Sequence, residues 1–172
     1  MISILDQRKF PIENLYPLAS KRSAGSKVSC QGKSWIVGDL DTFDFSKVQI
    51  GIFSAGGDIS EKYAPIAAAQ GCIVIDNTSH FRRDDDIPLV VPEVNPHAIA
   101  NYTNRNIISN PNCSTIQMLV ALKPIYDAVG ISRINVATYQ AVSGSGKEAI
   151  TELTNQTANL LNGNDIERAR KR

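Results

Sequence analysis

Residues 107–117, with the sequence IISNPNCSTIQ, join a short apolar run to an amphipathic segment through Asn-Pro-Asn and one cysteine. Pro111 restricts Asn110 to extended geometry, and the side chain of Asn112 can accept hydrogen bonds from amides two or three residues further on. The pattern therefore predicts a strand that ends before Asn110 and a helix that Asn112 caps and Cys113 begins.

A cysteine in the first turn of a helix has a distinct electrostatic environment. The positive end of the helix dipole and the unpaired N–H groups of that turn increase the fraction of the thiol that is ionised, which favours a nucleophile at Cys113. The same amides could hold a developing oxyanion. A helix whose first residue is simply a buried cysteine is the alternative, because free cysteines are among the most buried residues. These residues alone leave both interpretations open.

Composition excludes several classes of partner. The chain has 172 residues, of which 42% are hydrophobic and 20% charged, with a formal net charge of +1, so it has no strong field for nucleic acid or anionic membranes. No apolar run approaches the ~20 residues of a membrane span, and charges interrupt the amino terminus where a signal peptide would be apolar. We expect a cytoplasmic globular protein with no nucleic-acid or membrane partner.

The thiol and imidazole groups are few. Cys30, Cys72 and Cys113 form no Cys-x-x-Cys pair, and only His80 and His97 are available as further ligands. A disulfide framework and a metal site are therefore not expected.

Short apolar strands alternate with helices along most of the chain, which is typical of a parallel α/β sheet whose ligands bind at the carboxyl ends of its strands. The predicted strands are residues 15–20, 48–53, 72–76, Ile107–Ser109 and 132–142, with a hairpin at 27–37. The predicted helices lie at residues 1–9, from Asp58 to before Gly71, at 97–102, from Cys113 onward and from Lys147 to about Leu161, and residues 165–172 form a charged tail.

The segment after Cys113 carries an apolar stripe at helical spacing. The stripe predicts a core-facing helix surface, and Pro124 inside the segment should kink or divide the helix. The members of the stripe are Met118, Leu122, Ile125 and Val129.

Five ordered segments together resemble the aspartate-β-semialdehyde dehydrogenase family, and the resemblance covers nearly the whole chain. A related family, N-acetyl-γ-glutamyl-phosphate reductase, typically has glycine before and tyrosine after its cysteine, where this chain has Asn112 and Ser114, so it ranks second. The five segments are SAGG at 54–57, IDNTSHFR at 75–82, VVPEVNP at 90–96, NPNCSTIQ at 110–117 and TYQAVSGSGKEA at 138–149.

The resemblance implies NADPH-dependent reduction of L-aspartyl-4-phosphate to aspartate semialdehyde with release of phosphate, in the biosynthesis of lysine, threonine, methionine and isoleucine. It implies an incomplete Rossmann-like parallel sheet without its first strand, as a partial NADP-binding domain at residues 1–111. Residues 112–172 would begin an α+β catalytic and dimerisation domain of a homodimer.

The family's glycine-rich phosphate loop would precede Met1, and its catalytic histidine and carboxylate-binding arginine would follow Arg172. We therefore expect a fragment that binds NADP weakly and turns over slowly or not at all.

The resemblance also implies roles for individual residues. Cys113 would attack the acyl carbon, Asn112 would help to hold the oxyanion, and Gln140 would position the substrate. Arg82 would bind the phosphate, since the planar fork of a guanidinium matches phosphate oxygens. Arg83 would form a surface ion pair with the acidic residues that follow it. From the residues alone, Gln140 could equally face outward from a strand and Arg82 could be solvated.

The expected cofactor is NADP, and no metal is expected. A basic loop after a strand can hold a 2′-phosphate, and glycine-rich turns at strand ends permit close approach of a dinucleotide. The competing interpretations are a charged surface loop and tight turns without a ligand. The predicted cofactor-binding residues are Arg22, Ser23, Ser54, Ala55, Gly56, Gly57, Ser143 and Gly144.

Two other classes of function remain open. A hydrolase of the Cys-His type would need His80 or His97 beside Cys113, and a non-catalytic fragment would keep the sheet without the reaction. Neither histidine belongs to the family's histidine motif, so we expect both to have structural or surface roles.

Overall fold

The computed structural model describes residues 1–166. The described residues divide into two compact units, 1–123 and 124–166. Residues 167–172, with most of the predicted charged tail, lie outside the described residues.

A parallel sheet of three strands forms the centre of the first unit. Its strands are β5 (Ile50–Phe53), β6 (Ile73–Asp76) and β7 (Ile107–Ser109), in the order β5-β6-β7. Phe53 pairs with Asp76, and Asp76 with Ser109, so the three strands end at one level. The next residue along each strand is polar, and these residues form one edge of the sheet. The predicted α/β class with a parallel sheet is confirmed.

Smaller elements complete the first unit. Helix α1 (Ile2–Gln7) precedes β1 (Leu18–Ala19), which pairs in parallel with β4 (Gly38–Asp39). The predicted hairpin is confirmed as β2 (Lys27–Cys30) and β3 (Lys33–Ile36), with positive φ angles at Gln31 and Gly32 in its turn. Short 3₁₀ helices lie at Leu40–Thr42, Phe45–Lys47 and Pro96–Asn104.

Helix α2 (Gly57–Ala69) covers one face of the three-stranded sheet. Small side chains allow this close packing, because Ala64 and Ala67 on the helix and Val74 on β6 are fully buried. A methyl group on Gly51 of β5 would lie 3.1 Å from the sulfur of Cys72, so glycine suits that close approach. The core therefore lies between α2 and the sheet, and it leaves the strand ends open.

A buried carboxylate stabilises the end of β6. Asp76 is fully buried and accepts hydrogen bonds from Ser60 Oγ at 2.7 Å, from Thr78 N at 3.0 Å and from Thr78 Oγ1 at 2.8 Å. A carboxylate removed from water needs several donors, and α2 and the loop after β6 supply them here. Asp76 therefore ties α2 to the edge of the sheet where the polar residues lie.

Ser60→Ala is expected to lower the free energy of unfolding by about 2 kcal/mol, because a buried carboxylate oxygen loses a charge-assisted hydrogen bond. Ser46→Ala is the matched control, since Ser46 Oγ makes the same kind of bond to Asp44 at 2.7 Å but on the surface. The control should change stability by less than about 0.5 kcal/mol. Urea denaturation of the two variants measures both values, and equal losses would contradict the assignment.

A cluster of Asp41, Lys62 and the buried Tyr63 joins α2 to the 3₁₀ helix at Leu40–Thr42. The Tyr63 hydroxyl donates to Asp41 and lowers the pKa of that carboxyl, while Lys62 Nζ donates to the Tyr63 hydroxyl at 2.8 Å, which raises the pKa of Lys62. These contacts anchor the helix at its side, away from the strand ends.

The structure corrects several local predictions. The strand at 15–20 is reduced to Leu18–Ala19, and α2 begins at Gly57 with Gly56 as its N-cap, rather than at Asp58. Helix α3 (Cys113–Val129) is not divided at Pro124. Ile125 and Val129 of the apolar stripe are exposed, so the expectation of a core-facing surface is wrong for both. Periodicity shows which face of a helix is apolar, but not what covers that face.

The second unit lacks a predicted strand. Residues 132–142 form no strand among the described residues, and Ile134, Val136 and Tyr139 are exposed. An apolar extended segment becomes a strand only where a neighbour supplies hydrogen-bond partners, and no described strand pairs with this one. A 3₁₀ helix at Val142–Ser145 and helix α4 (Lys147–Leu161) follow, and α4 has its predicted bounds.

Candidate active site

Three polar side chains form a hydrogen-bonded chain across the carboxyl ends of β5, β6 and β7. Asn110 Nδ2 donates to Asn77 Oδ1 at 2.8 Å, and Asn77 Nδ2 donates to Ser54 Oγ at 3.3 Å. The backbone is tied in the same way, since Asn77 N donates to Phe53 O and Asn110 N to Asp76 O. We call Ser54, Asn77 and Asn110 the amide bridge.

Arg82 is held against the amide bridge. Its Nε donates to the carbonyl of Asn110 at 2.8 Å, and its Nη2 donates to the carbonyl of Asn77 at 3.2 Å. The side chain is half-buried, and Nη1 has no hydrogen-bond partner among residues 1–166. The structure therefore presents a cation at the strand ends, with donors left for an anion.

Arg83 does not form the predicted ion pair. Arg105 Nη1 instead lies 3.1 Å from Asp84 Oδ2 and 3.4 Å from Asp86 Oδ1. Arg105 comes from the end of the 3₁₀ helix at Pro96–Asn104, so a residue distant in sequence reaches these acids, and Arg83 remains exposed.

The predicted cap of the cysteine helix is confirmed. Helix α3 begins at Cys113, the Asn112 side chain accepts from Thr115 N at 2.9 Å, and the Asn112 carbonyl accepts from Ile116 N at 3.1 Å. Pro111 is buried and Asn112 exposed, which directs the chain from Asn110 into the helix. The loop that receives Arg82 is therefore the loop that begins α3.

Cys113 differs from the other two cysteines. Cys30 and Cys72 are buried, whereas Cys113 is exposed. Burial also raises the pKa of the Cys72 thiol. The structure thus excludes the alternative of a buried helix-start cysteine, and it leaves Cys113 as the accessible thiol.

Asn112→Ala should lower the free energy of unfolding by about 1 kcal/mol, because the amide of Thr115 loses its acceptor. Asn112→Asp keeps that acceptor and should stay within about 0.5 kcal/mol of the parent chain. Chemical denaturation followed by circular dichroism measures both. A loss of the same size in the aspartate variant would show that the cap is not responsible.

The turn after β5 leaves room for a ligand. Ser54, Ala55 and Gly56 are exposed, and Gly56 has a φ of 117°, a conformation that favours glycine. Apart from the adjacent residues and the backbone of α2 itself, nothing lies within 4 Å of a side-chain position built on Gly56 or Gly57. Helix α2 starts here without a side-chain cap, so its first-turn amides can bind an anion.

Arg22 and Ser23 lie in the turn that follows β1. Both are exposed, and the turn is closed by a hydrogen bond from Ser23 N to the Ser20 carbonyl at 2.8 Å. The guanidinium of Arg22 makes no hydrogen bond or ion pair among the described residues. It is therefore free to bind an external anion.

The remaining predicted residues belong to the second unit. Gln140 lies outside any strand, contrary to the prediction, and its side chain lies against Gly144 in the following turn. A methyl group on Gly144 would overlap the Gln140 amide nitrogen and lie 3.3 Å from its Cδ. Glycine at this position therefore permits the contact between the glutamine and the turn.

Sequence reasoning missed two members of the amide bridge, Asn77 and Asn110, and the buried pair Ser60 and Asp76 beneath it. A signal was present, since Ser54, Asn77 and Asn110 each follow a strand of the same sheet directly. In a parallel sheet, residues at equivalent strand ends lie side by side.

Comparison with known proteins identifies the family. Residues 1–102 match the model of the semialdehyde dehydrogenase NAD binding domain, and residues 122–171 match the semialdehyde dehydrogenase dimerisation domain. The chain belongs to the semialdehyde dehydrogenase family. The fold expected from the resemblance is thereby confirmed, and the boundary at residues 111 and 112 stays a prediction.

Relatives within this family are close. Aspartate-semialdehyde dehydrogenase of Shewanella sp. (strain DB6705) is 71% identical over 97% of this chain and 49% of its own length. The crystal structure of aspartate semialdehyde dehydrogenase II from Vibrio cholerae complexed with ASA superposes with a TM-score of 0.90 at 62% identity, covering 98% of this chain and 50% of that one.

A more distant structure, aspartate semialdehyde dehydrogenase with NADP from Candida albicans, has a TM-score of 0.58 at 25% identity and covers 76% of this chain and 43% of that one. The chain spans about half the length of the curated relatives it matches. Among residues 1–166, no helix is long and apolar enough to cross a membrane, and no cluster of metal-ligating side chains occurs.

Proposed function

We propose that this chain carries the nucleophile and the cofactor-binding residues of an aspartate-semialdehyde dehydrogenase. The reaction would be the NADPH-dependent reduction of L-aspartyl-4-phosphate to L-aspartate-4-semialdehyde with release of phosphate. The observation that carries the proposal is the exposed Cys113 thiol at a capped helix start, in the loop whose Asn110 carbonyl receives Arg82.

The residues of this loop suit acyl transfer from a phosphate. The sulfur of Cys113 would attack the acyl carbon, and phosphate would leave as the thioester forms. Amides of the first helical turn and the Asn112 side chain would stabilise the oxyanion. Arg82 would bind the leaving phosphate through its free N–H groups, because a guanidinium pairs with two phosphate oxygens.

The cofactor residues fit a dinucleotide with a 2′-phosphate. NADPH supplies the hydride when bound. Arg22 and Ser23 would hold its 2′-phosphate, since Arg22 is exposed and has no partner among the described residues. Ser54, Ala55, Gly56 and Gly57 would line the cofactor at the open start of α2. The solved relative from Candida albicans was determined with NADP, which supports NADP as the cofactor.

Three further residues are assigned from the family resemblance. Gln140 would position the substrate, and Ser143 and Gly144 would lie near the nicotinamide end of the cofactor. The match to a dimerisation domain supports assembly as a homodimer. The proposed reaction would take place in the cytoplasm, in the biosynthesis of lysine, threonine, methionine and isoleucine.

The test measures the reverse reaction, the phosphate-dependent oxidation of aspartate semialdehyde, with the full-length gene product. We expect NADP reduction that depends on aspartate semialdehyde and on phosphate or arsenate, and much lower rates with N-acetylglutamate semialdehyde. Reduction of NADP that is independent of phosphate, or none at all, would refute the proposal.

A further inference from the structure

We propose that Asn77 and Asn110 are positioning residues that orient Arg82 so that the Nη end of its guanidinium binds the phosphate. This inference rests on the proposed function and adds to it, because neither asparagine need touch the substrate. Its basis is the set of contacts that the amide bridge makes with Arg82.

The hydrogen bonds of Arg82 leave it a single bidentate binding mode. Nε has only one N–H, and that N–H donates to the Asn110 carbonyl at 2.8 Å. The edge of the guanidinium that pairs Nε with Nη2 is therefore closed to a bidentate ligand. Nη2 gives one N–H to the Asn77 carbonyl at 3.2 Å, and its second N–H remains together with the Nη1 amine. Two phosphate oxygens can then bind only across Nη1 and Nη2.

The asparagine side chains set the separation of the two acceptor carbonyls. The carbonyls of Asn77 and Asn110 belong to different loops, and the bond from Asn110 Nδ2 to Asn77 Oδ1 at 2.8 Å joins these loops. The bond from Asn77 Nδ2 to Ser54 Oγ adds the loop after β5. Removing either amide leaves the two carbonyls positioned by the backbone hydrogen bonds of Asn77 and Asn110 alone, so the orientation of Arg82 becomes less sharply defined.

Buried hydrogen bonds hold the backbone beneath the bridge. Asn110 N donates to the carbonyl of Asp76, and the carboxylate of Asp76 is buried and held by Ser60 and Thr78. Asn77, by contrast, is exposed and Asn110 is half-exposed. Hydrogen bonds between exposed amides contribute little to stability because water competes for the same groups. The bridge should therefore affect ligand binding more than folding.

The first experiment alkylates Cys113 in the 172-residue chain with iodoacetate and with iodoacetamide. Cys30 and Cys72 are buried, so Cys113 should react selectively. A correctly oriented Arg82 attracts the anionic reagent, and the ratio of the two rates reports this attraction. We expect Asn77→Ala and Asn110→Ala each to lower the ratio about fivefold, approaching the value of Arg82→Ala.

The double variant of Asn77 and Asn110 should fall no further than either single variant, because both side chains serve one bridge. Asn101→Ala is the matched control, since Asn101 is an exposed asparagine of the 3₁₀ helix at Pro96–Asn104. It should leave the ratio unchanged. Additive losses in the double variant, or unchanged ratios in both single variants, would overturn the inference.

The second experiment measures kinetics of the full-length gene product in the phosphate-dependent direction. Asn77→Ala and Asn110→Ala should raise KM for phosphate about tenfold, while kcat and KM for NADP change less than about threefold. Changes of similar size in KM for phosphate, kcat and KM for NADP, together with a lower Tm, would show a merely structural role and overturn the inference. If the parent protein shows no phosphate-dependent activity, the proposed function fails, and the alkylation ratio still decides whether the bridge orients Arg82.

Discussion

Cys113→Ser is expected to lower phosphate-dependent NADP reduction by the full-length gene product by a factor of at least about 10⁴. A serine hydroxyl stays protonated at neutral pH and is a far weaker nucleophile than a thiolate. The helix start should survive the change, since Asn112 makes the cap through its own side chain and carbonyl. The rate of NADP reduction at saturating phosphate measures the effect.

Thiol labelling of the 172-residue chain provides the control for that variant. One fast-reacting thiol is expected in the parent chain and none in Cys113→Ser, because Cys30 and Cys72 are buried and the pKa of Cys72 is raised. Circular dichroism should be the same for both. A serine variant that keeps more than about one-hundredth of the parent rate would show that Cys113 is not the nucleophile.

Arg82→Ala is expected to raise KM for phosphate about 100-fold, because two charge-assisted hydrogen bonds to the oxyanion are lost together. Arg82→Lys should not restore the affinity. An ammonium group is a point charge and cannot bond two carbonyls and two phosphate oxygens in the plane that the guanidinium offers. Initial rates over a range of phosphate concentrations give the constants for both variants.

The neighbouring arginine is the matched control for charge. Arg83 is exposed and makes no ion pair with Asp84 or Asp86, because both carboxylates pair with Arg105. Arg83→Ala removes the same formal charge one residue away and should change KM for phosphate less than about twofold at moderate salt. If both alanine variants weaken phosphate equally, the general field of the loop rather than the held guanidinium would be responsible.

Local sequence signals were sufficient for several elements that depend on residues close in sequence. Asn-Pro-Asn before Cys113 predicted the strand end, the cap and the first residue of α3, because each depends on backbone geometry within a few residues. The bounds of α4 and the hairpin of β2 and β3 were predicted for the same reason.

Predictions failed where the outcome depended on a partner distant in sequence. Residues 132–142 have the composition of a strand, yet among the described residues no neighbouring strand supplies hydrogen bonds. Arg105 rather than Arg83 pairs with Asp84 because the fold brings it there. Composition indicates that a segment can form a strand, but it forms one only where the fold supplies a strand to pair with.

The sequence by itself determined the alternation of strands and helices, the capped helix at Cys113 and the family resemblance, since each is written in local order. The tertiary structure alone decided that Cys113 is exposed, that Asn77 and Asn110 meet, and that Arg82 bonds both of their carbonyls. The physical reason is the register of the parallel sheet. Strands from separate parts of the chain end at one level, and only that alignment brings their following residues within hydrogen-bond distance.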